Sequence, residues 1–84
     1  MKTMWVDEQI EATVEFPRGL TFPRLRGIRF RDEEVQFAGP VQVERTPSAL
    51  LYRTSAGARE YTVRFETAQQ RWILELVQRS STLL

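Results

Sequence analysis

The chain has no cysteine, no histidine and no asparagine, and a single lysine. Without cysteine there is no disulfide framework, thiolate metal site or thiol nucleophile. Without histidine, both the commonest metal ligand and the usual general base near neutral pH are missing. A Ser-His-Asp or Cys-His arrangement cannot be assembled. No metal or cofactor is expected. Asp32-Glu33-Glu34 is the nearest approach to a hard-cation site, and three adjacent acids on a turn are ordinarily just solvated. Apolar runs such as Trp72-Ile73-Leu74 fall far short of a membrane span. The first residues show no apolar stretch of signal-peptide length, and charge arrives at Asp7. The expectation is a cytoplasmic chain without a membrane partner.

The 84 residues make one domain, 1–84, with 42% hydrophobic and 11% aromatic residues, enough for a small core. The net charge is +1, and eleven of the twelve basic residues are arginine. A carboxylate-only mechanism is conceivable but needs a deep cleft, for which a chain this short leaves little room. A non-catalytic protein is therefore expected.

Period-two alternation dominates the pattern. Ile10, Ala12, Val14 and Phe16 point one way, against Gln9, Glu11, Thr13 and Glu15. Pro17-Arg18-Gly19 ends that strand. Ile28 and Phe30 share a second apolar face. Leu25 is out of phase with them, and a bulge at Gly27 reconciles the two. Asp32-Glu33-Glu34 reads as the turn before Val35 and Phe37. Val41 and Val43 extend the pattern. Residues 49–54 form a strand, and Tyr61, Val63 and Phe65 line another after the turn at Ser55-Ala56-Gly57-Ala58. The expected core is Ile10, Val14, Phe16, Ile28, Phe30, Val35, Phe37, Tyr61, Val63 and Phe65.

The last segment reads two ways. Trp72, Leu74 and Leu76 make a strand face, with Ile73 and Val77 on the other. Alternatively Thr67 and Gln70 form a capping box, and a helix runs over about residues 68–79. Residues 67–70 lack Gly, Asn and Asp, which disfavours a hairpin loop there. The fold class is all-β, a small antiparallel curled sheet or barrel-like meander of five to six strands. The alternative is α+β with that carboxy-terminal helix.

Two sets of residues suggest binding. Residues 18–31 hold Arg18, Arg24, Arg26, Arg29 and Arg31 with no acid among them. Interleaved with Phe22 and Phe30, they resemble a surface that tracks a nucleic-acid backbone. Cross-strand pairing with Glu11, Glu15, Glu33 and Glu34 is the simpler use of the same charges. Trp5, Trp72 and Leu74 are the second set, a candidate protein interface. A strand at 72–77 is apolar on both faces, so it needs either a central place under a curled sheet or a partner subunit. The reading is a small interaction module, self-associating as a homodimer and binding a protein partner. A nucleic-acid-binding small barrel that uses the arginines is the alternative.

Overall fold

The computed structural model describes residues 3–19, 22–38 and 40–79. These residues form seven strands and no helix: β1 (Thr3–Glu15), β2 (Arg24–Phe30), β3 (Glu33–Gln36), β4 (Gln42–Arg45), β5 (Ala49–Ala56), β6 (Arg59–Glu66) and β7 (Arg71–Arg79). They join one antiparallel sheet in the order β3-β2-β1-β7-β6-β5-β4, curled into a half-barrel. The all-β class is as expected, with seven strands rather than five or six. No helix among the described residues is long and apolar enough to cross a membrane.

Connectivity forces the curl. β3 and β4 are the two edges of the sheet, yet only residues 37–41 separate them in the chain. Six Cα steps reach at most about 22 Å. A flat seven-stranded sheet would set its edges about 29 Å apart. The sheet must bend for the tether to close. Each edge strand is four residues long and carries charge, at Glu33 and Glu34 on one and Glu44 and Arg45 on the other.

The carboxy-terminal segment is strand β7, at the centre of the sheet. Leu74 on its inner face and Ile73 on its outer face are both buried. A central strand uses apolar residues on both faces, whereas a helix would leave Leu74 off its stripe. The hairpin loop at 67–70 manages without Gly or Asn because Gln70 adopts φ +52°. The β2–β3 turn also departs from expectation. It falls at Arg31-Asp32, both at positive φ (+52° and +63°), as a two-residue type I′ turn requires. Glu33 and Glu34 belong to β3 instead.

The bulge at Gly27 is present. Thr13 pairs with Gly27 and Val14 with Leu25, leaving Arg26 as the extra residue. That slip turns both Leu25 and Ile28 inward, where they are buried. Gly27 itself lies so close to β3 that a Cβ there would meet the Val35 carbonyl oxygen at 2.7 Å.

Tyr52, Leu25, Leu74 and Val63 are fully buried at the centre of the core. Trp72 packs on Phe65 and Tyr52, at ring separations of 4.6 and 5.3 Å, and Phe37 reaches Tyr61 at 5.3 Å. The Tyr52 hydroxyl donates to the Pro23 carbonyl at 2.6 Å, tying β5 to the entry of β2. Nine of the ten expected core residues are buried or packed against the core. Phe16 is the exception, 78% exposed. β1 ends at Glu15, so the alternation that pointed Phe16 inward stops one residue before it.

Gly27→Ala is expected to lower stability by about 1–3 kcal/mol, because the added methyl meets backbone that cannot swing away. Urea unfolding measures it. Thr54 presents the opposite case, since its buried hydroxyl has no hydrogen-bond partner among the described residues. Thr54→Val is expected to leave stability unchanged or raise it by about 1–2 kcal/mol. A loss on that substitution would show that the hydroxyl is satisfied in solution.

Candidate interaction surface

β1 is thirteen residues long and changes partner midway. Thr3 to Ile10 pair with β7, and Glu11 to Glu15 pair with β2. The arginine set falls along β2 and its flanking turns, and all five residues are exposed. β2 lies between β1 and β3, and both neighbours present acids to it. Arg29 stands opposite Glu11 on one side and Glu34 on the other, and Arg24 opposite Glu15. Arg26 lies 3.9 Å from Glu15. Arg31 pairs with Glu8 at 2.8 Å and lies 4.8 Å from the Phe30 ring centre. Those two contacts help hold a non-glycine residue at positive φ. The sheet therefore intersperses these positive charges with negative ones.

The second set separates. Leu74 is fully buried in the chain's own core. Trp72 turns its ring inward onto Phe65 and Tyr52. These two are core residues here, because β7 is central and its apolar faces are covered within the chain. Trp5 alone of the three is a surface residue, 76% exposed. Arg29 and Trp72, one from each set, do line a common notch of about 520 Å³ beside the β1 crossover. Glu11 and Glu34 line it too, so it offers no net positive charge.

The partner change leaves β1 with an open edge. On the side where Glu11 to Glu15 meet β2, residues 3–9 meet no strand among those described. β2 stops short because its hairpin turns at Arg31-Asp32. An unpaired edge offers alternate backbone N–H and C=O groups to solvent. Met4 and Trp5 sit on this stretch, 45% and 76% exposed. Trp5 stands opposite Leu76 on β7, on the outer face of the sheet.

Beyond Trp5 the edge is shaped by a double irregularity. Val6 and Asp7 together oppose the single residue Glu75, and Asp7 takes φ +50°. β7 is itself bulged at Glu75 against β6. Arg64 on β6 closes this region. Its guanidinium meets Glu75 at 2.5 Å, Glu66 at 3.3 Å and Asp7 at 3.5 Å, and Arg71 meets Glu66 at 2.6 Å. Burial alone would lower the Arg64 pKa. The Glu75 hydrogen bond and the charges of Glu75, Glu66 and Asp7 outweigh it and hold the group above its ordinary value. The hydrogen bond from Arg71, with the charges of Arg71 and Arg64, holds the Glu66 carboxyl below the usual range. The arrangement is electrostatic scaffolding. Among the described residues, no group of three or more His, Cys, Asp or Glu side chains is placed to hold a metal ion.

Sequence reasoning missed this edge for a physical reason. Residues 3–7 carry no clean alternation, since Met4, Trp5 and Val6 are apolar in succession and Glu8 stands opposite buried Leu74. The available signal was the adjacency of Met4 and Trp5 to a strand too long for its neighbours. Comparison of the chain with family models, curated proteins and solved structures gave no match.

The charge cluster sets an acid response. A carboxyl whose folded pKa lies below its unfolded value stabilises the fold above the unfolded value. That contribution disappears as pH falls through the folded value. The thermal midpoint is therefore expected to fall below the ordinary carboxylate range, with Glu66 contributing. Glu66→Gln should flatten part of that decline. An unchanged acid limb in Glu66→Gln would remove Glu66 from the account.

Proposed function

We propose that this chain is a non-catalytic, cytoplasmic interaction module that associates with a second copy of itself through the open edge of β1. The observation that carries the reading is the open edge of Thr3–Asp7 on the side away from β7, which meets no strand among the described residues, with Met4 and Trp5 exposed on it. An antiparallel ladder is self-complementary, so one strand edge pairs with its own copy across a two-fold axis. Centred on Trp5, such pairing forms about five backbone hydrogen bonds. It also sets the two indoles side by side on one face, as a cross-strand aromatic pair. An extended segment of another protein can use the same backbone groups by strand addition, which supports a protein partner as well. The lack of cysteine suits a reducing compartment.

Protein recognition ranks ahead of nucleic acid because acids accompany the arginines. Arg26 and Arg31 have carboxylate partners, and Glu11 and Glu34 flank Arg29. A backbone-tracking groove needs charge of one sign along its length.

Light scattering at tens of micromolar tests the association. A mass near twice 9.9 kDa supports it, and a mass near 9.9 kDa at every concentration overturns it. Trp5→Lys is expected to give a folded monomer with an unchanged far-ultraviolet spectrum. A dimer that survives Trp5→Lys intact would move the interface away from β1.

A further inference from the structure

The outer face of β4–β7 carries a second feature, a groove of about 290 Å³. It sits at the small end of the range for small-molecule sites, about 300–1,000 Å³. Two transverse rows of side chains form its floor. Ser55, Glu60 and Gln78 are in register across β5, β6 and β7. Gln42, Arg53 and Thr62 are in register across β4, β5 and β6. Neighbouring groups within a row are about 4.8 Å apart, and the rows are about 7 Å apart. Arg53 is held by Glu44 at 3.0 Å. Gln78 makes one long bond to Thr3, at 3.4 Å. The side chains of Gln42, Ser55, Glu60 and Thr62 have no hydrogen-bond partner among the described residues.

We infer that this groove binds a neutral polyhydroxylated ligand, a saccharide unit. The four unpartnered side chains supply donors and acceptors together: an amide, two hydroxyls and a carboxylate. A sugar hydroxyl is likewise donor and acceptor at once, so it satisfies each of them. Arg53 is already neutralised by Glu44, so Glu60 carries the one uncompensated charge of the lining, which disfavours an anion, and a single carboxylate is too little to hold a hard cation. A carboxylate beside amide and hydroxyl groups accepts two neighbouring hydroxyls of a ring. The groove adjoins the β1 edge at Gln78, which bonds Thr3, but Glu60 and Ser55 lie one and two strands further away, so substitutions there report on the groove and not on self-association.

The test is amide chemical-shift mapping of the ¹⁵N-labelled chain with cellotriose, maltotriose, xylotriose and chitotriose in turn, at millimolar concentration. At least one is expected to shift amides confined to residues 42, 53–55, 60–62 and 78. Glu60→Ala is expected to weaken that binding about tenfold, the worth of one hydrogen bond to a charged acceptor. Ser55→Ala provides a second, milder loss on a neighbouring strand. Trp5→Lys should bind with unchanged affinity, which keeps this result apart from the dimer. Absence of shifts with all four sugars overturns the inference. So do shifts that lie elsewhere, or shifts that persist unchanged in both Glu60→Ala and Ser55→Ala while the spectrum stays folded.

Discussion

Everything in this fold depends on β1 being shared by two halves of the sheet. Its first eight residues, six of them paired, hold β7, and its last five hold β2. At about 3.3 Å per residue a straight strand of this length would run roughly 40 Å. The molecule's longest dimension, 37 Å, is comparable to that length. One strand therefore joins the β1–β2–β3 meander to the β4–β7 meander. The irregularities at Asp7 and at Gly27 are what let it do so. Each inserts a residue on one side of a ladder and turns the strand locally, so the two halves face each other across one core.

That core is fastened by polar as well as apolar contacts. Tyr52 is the central example. Its ring is fully buried and packs on Trp72, while its hydroxyl reaches the Pro23 carbonyl from the opposite half. Burial pushes the phenol up to about 12, so it stays a neutral donor throughout the physiological range. A phenylalanine there would keep the packing and leave a half-buried carbonyl short of a donor. The outer face is organised differently. Its central fixture is Arg64, with three carboxylates around it and the apolar Ile73 in the adjacent register position.

How much of this was legible in the sequence follows from which signals are local. Alternation at residues 9–15, 28–37 and 61–65 located strands because each has one wet face and one dry face. The phase conflict between Leu25 and Ile28 announced the Gly27 bulge. The turn at Arg31-Asp32 was hidden because arginine, unlike aspartate, is not a usual occupant of positive φ. A salt bridge to Glu8, far away in sequence, helps hold Arg31 there. β7 was ambiguous because a central strand is apolar on both faces, and only its neighbours distinguish that from a helix. The binding residues divided on the same ground. The exposure of the arginines followed from alternation, but their acidic neighbours depend on register. The core places of Trp72 and Leu74 depend on strand order, which no local pattern encodes.

Edge protection is unevenly distributed over the sheet. A sheet that ends in β3 and β4 exposes two formal edges, and both are blunted. They are four residues long, charged, and held near each other by the 37–41 tether. The Thr3–Asp7 stretch is not blunted in that way. It has length, an exposed Met4 and an exposed Trp5, and its one acidic residue, Asp7, is drawn toward Arg64 on the sheet's outer face. A bulge at Asp7 limits how far pairing can extend, so an added strand would find about five residues and then a stop. Protection at the ends of the sheet and access at its middle strand are opposite outcomes of the same physics. The proposed association would use that accessible stretch without opening the fold.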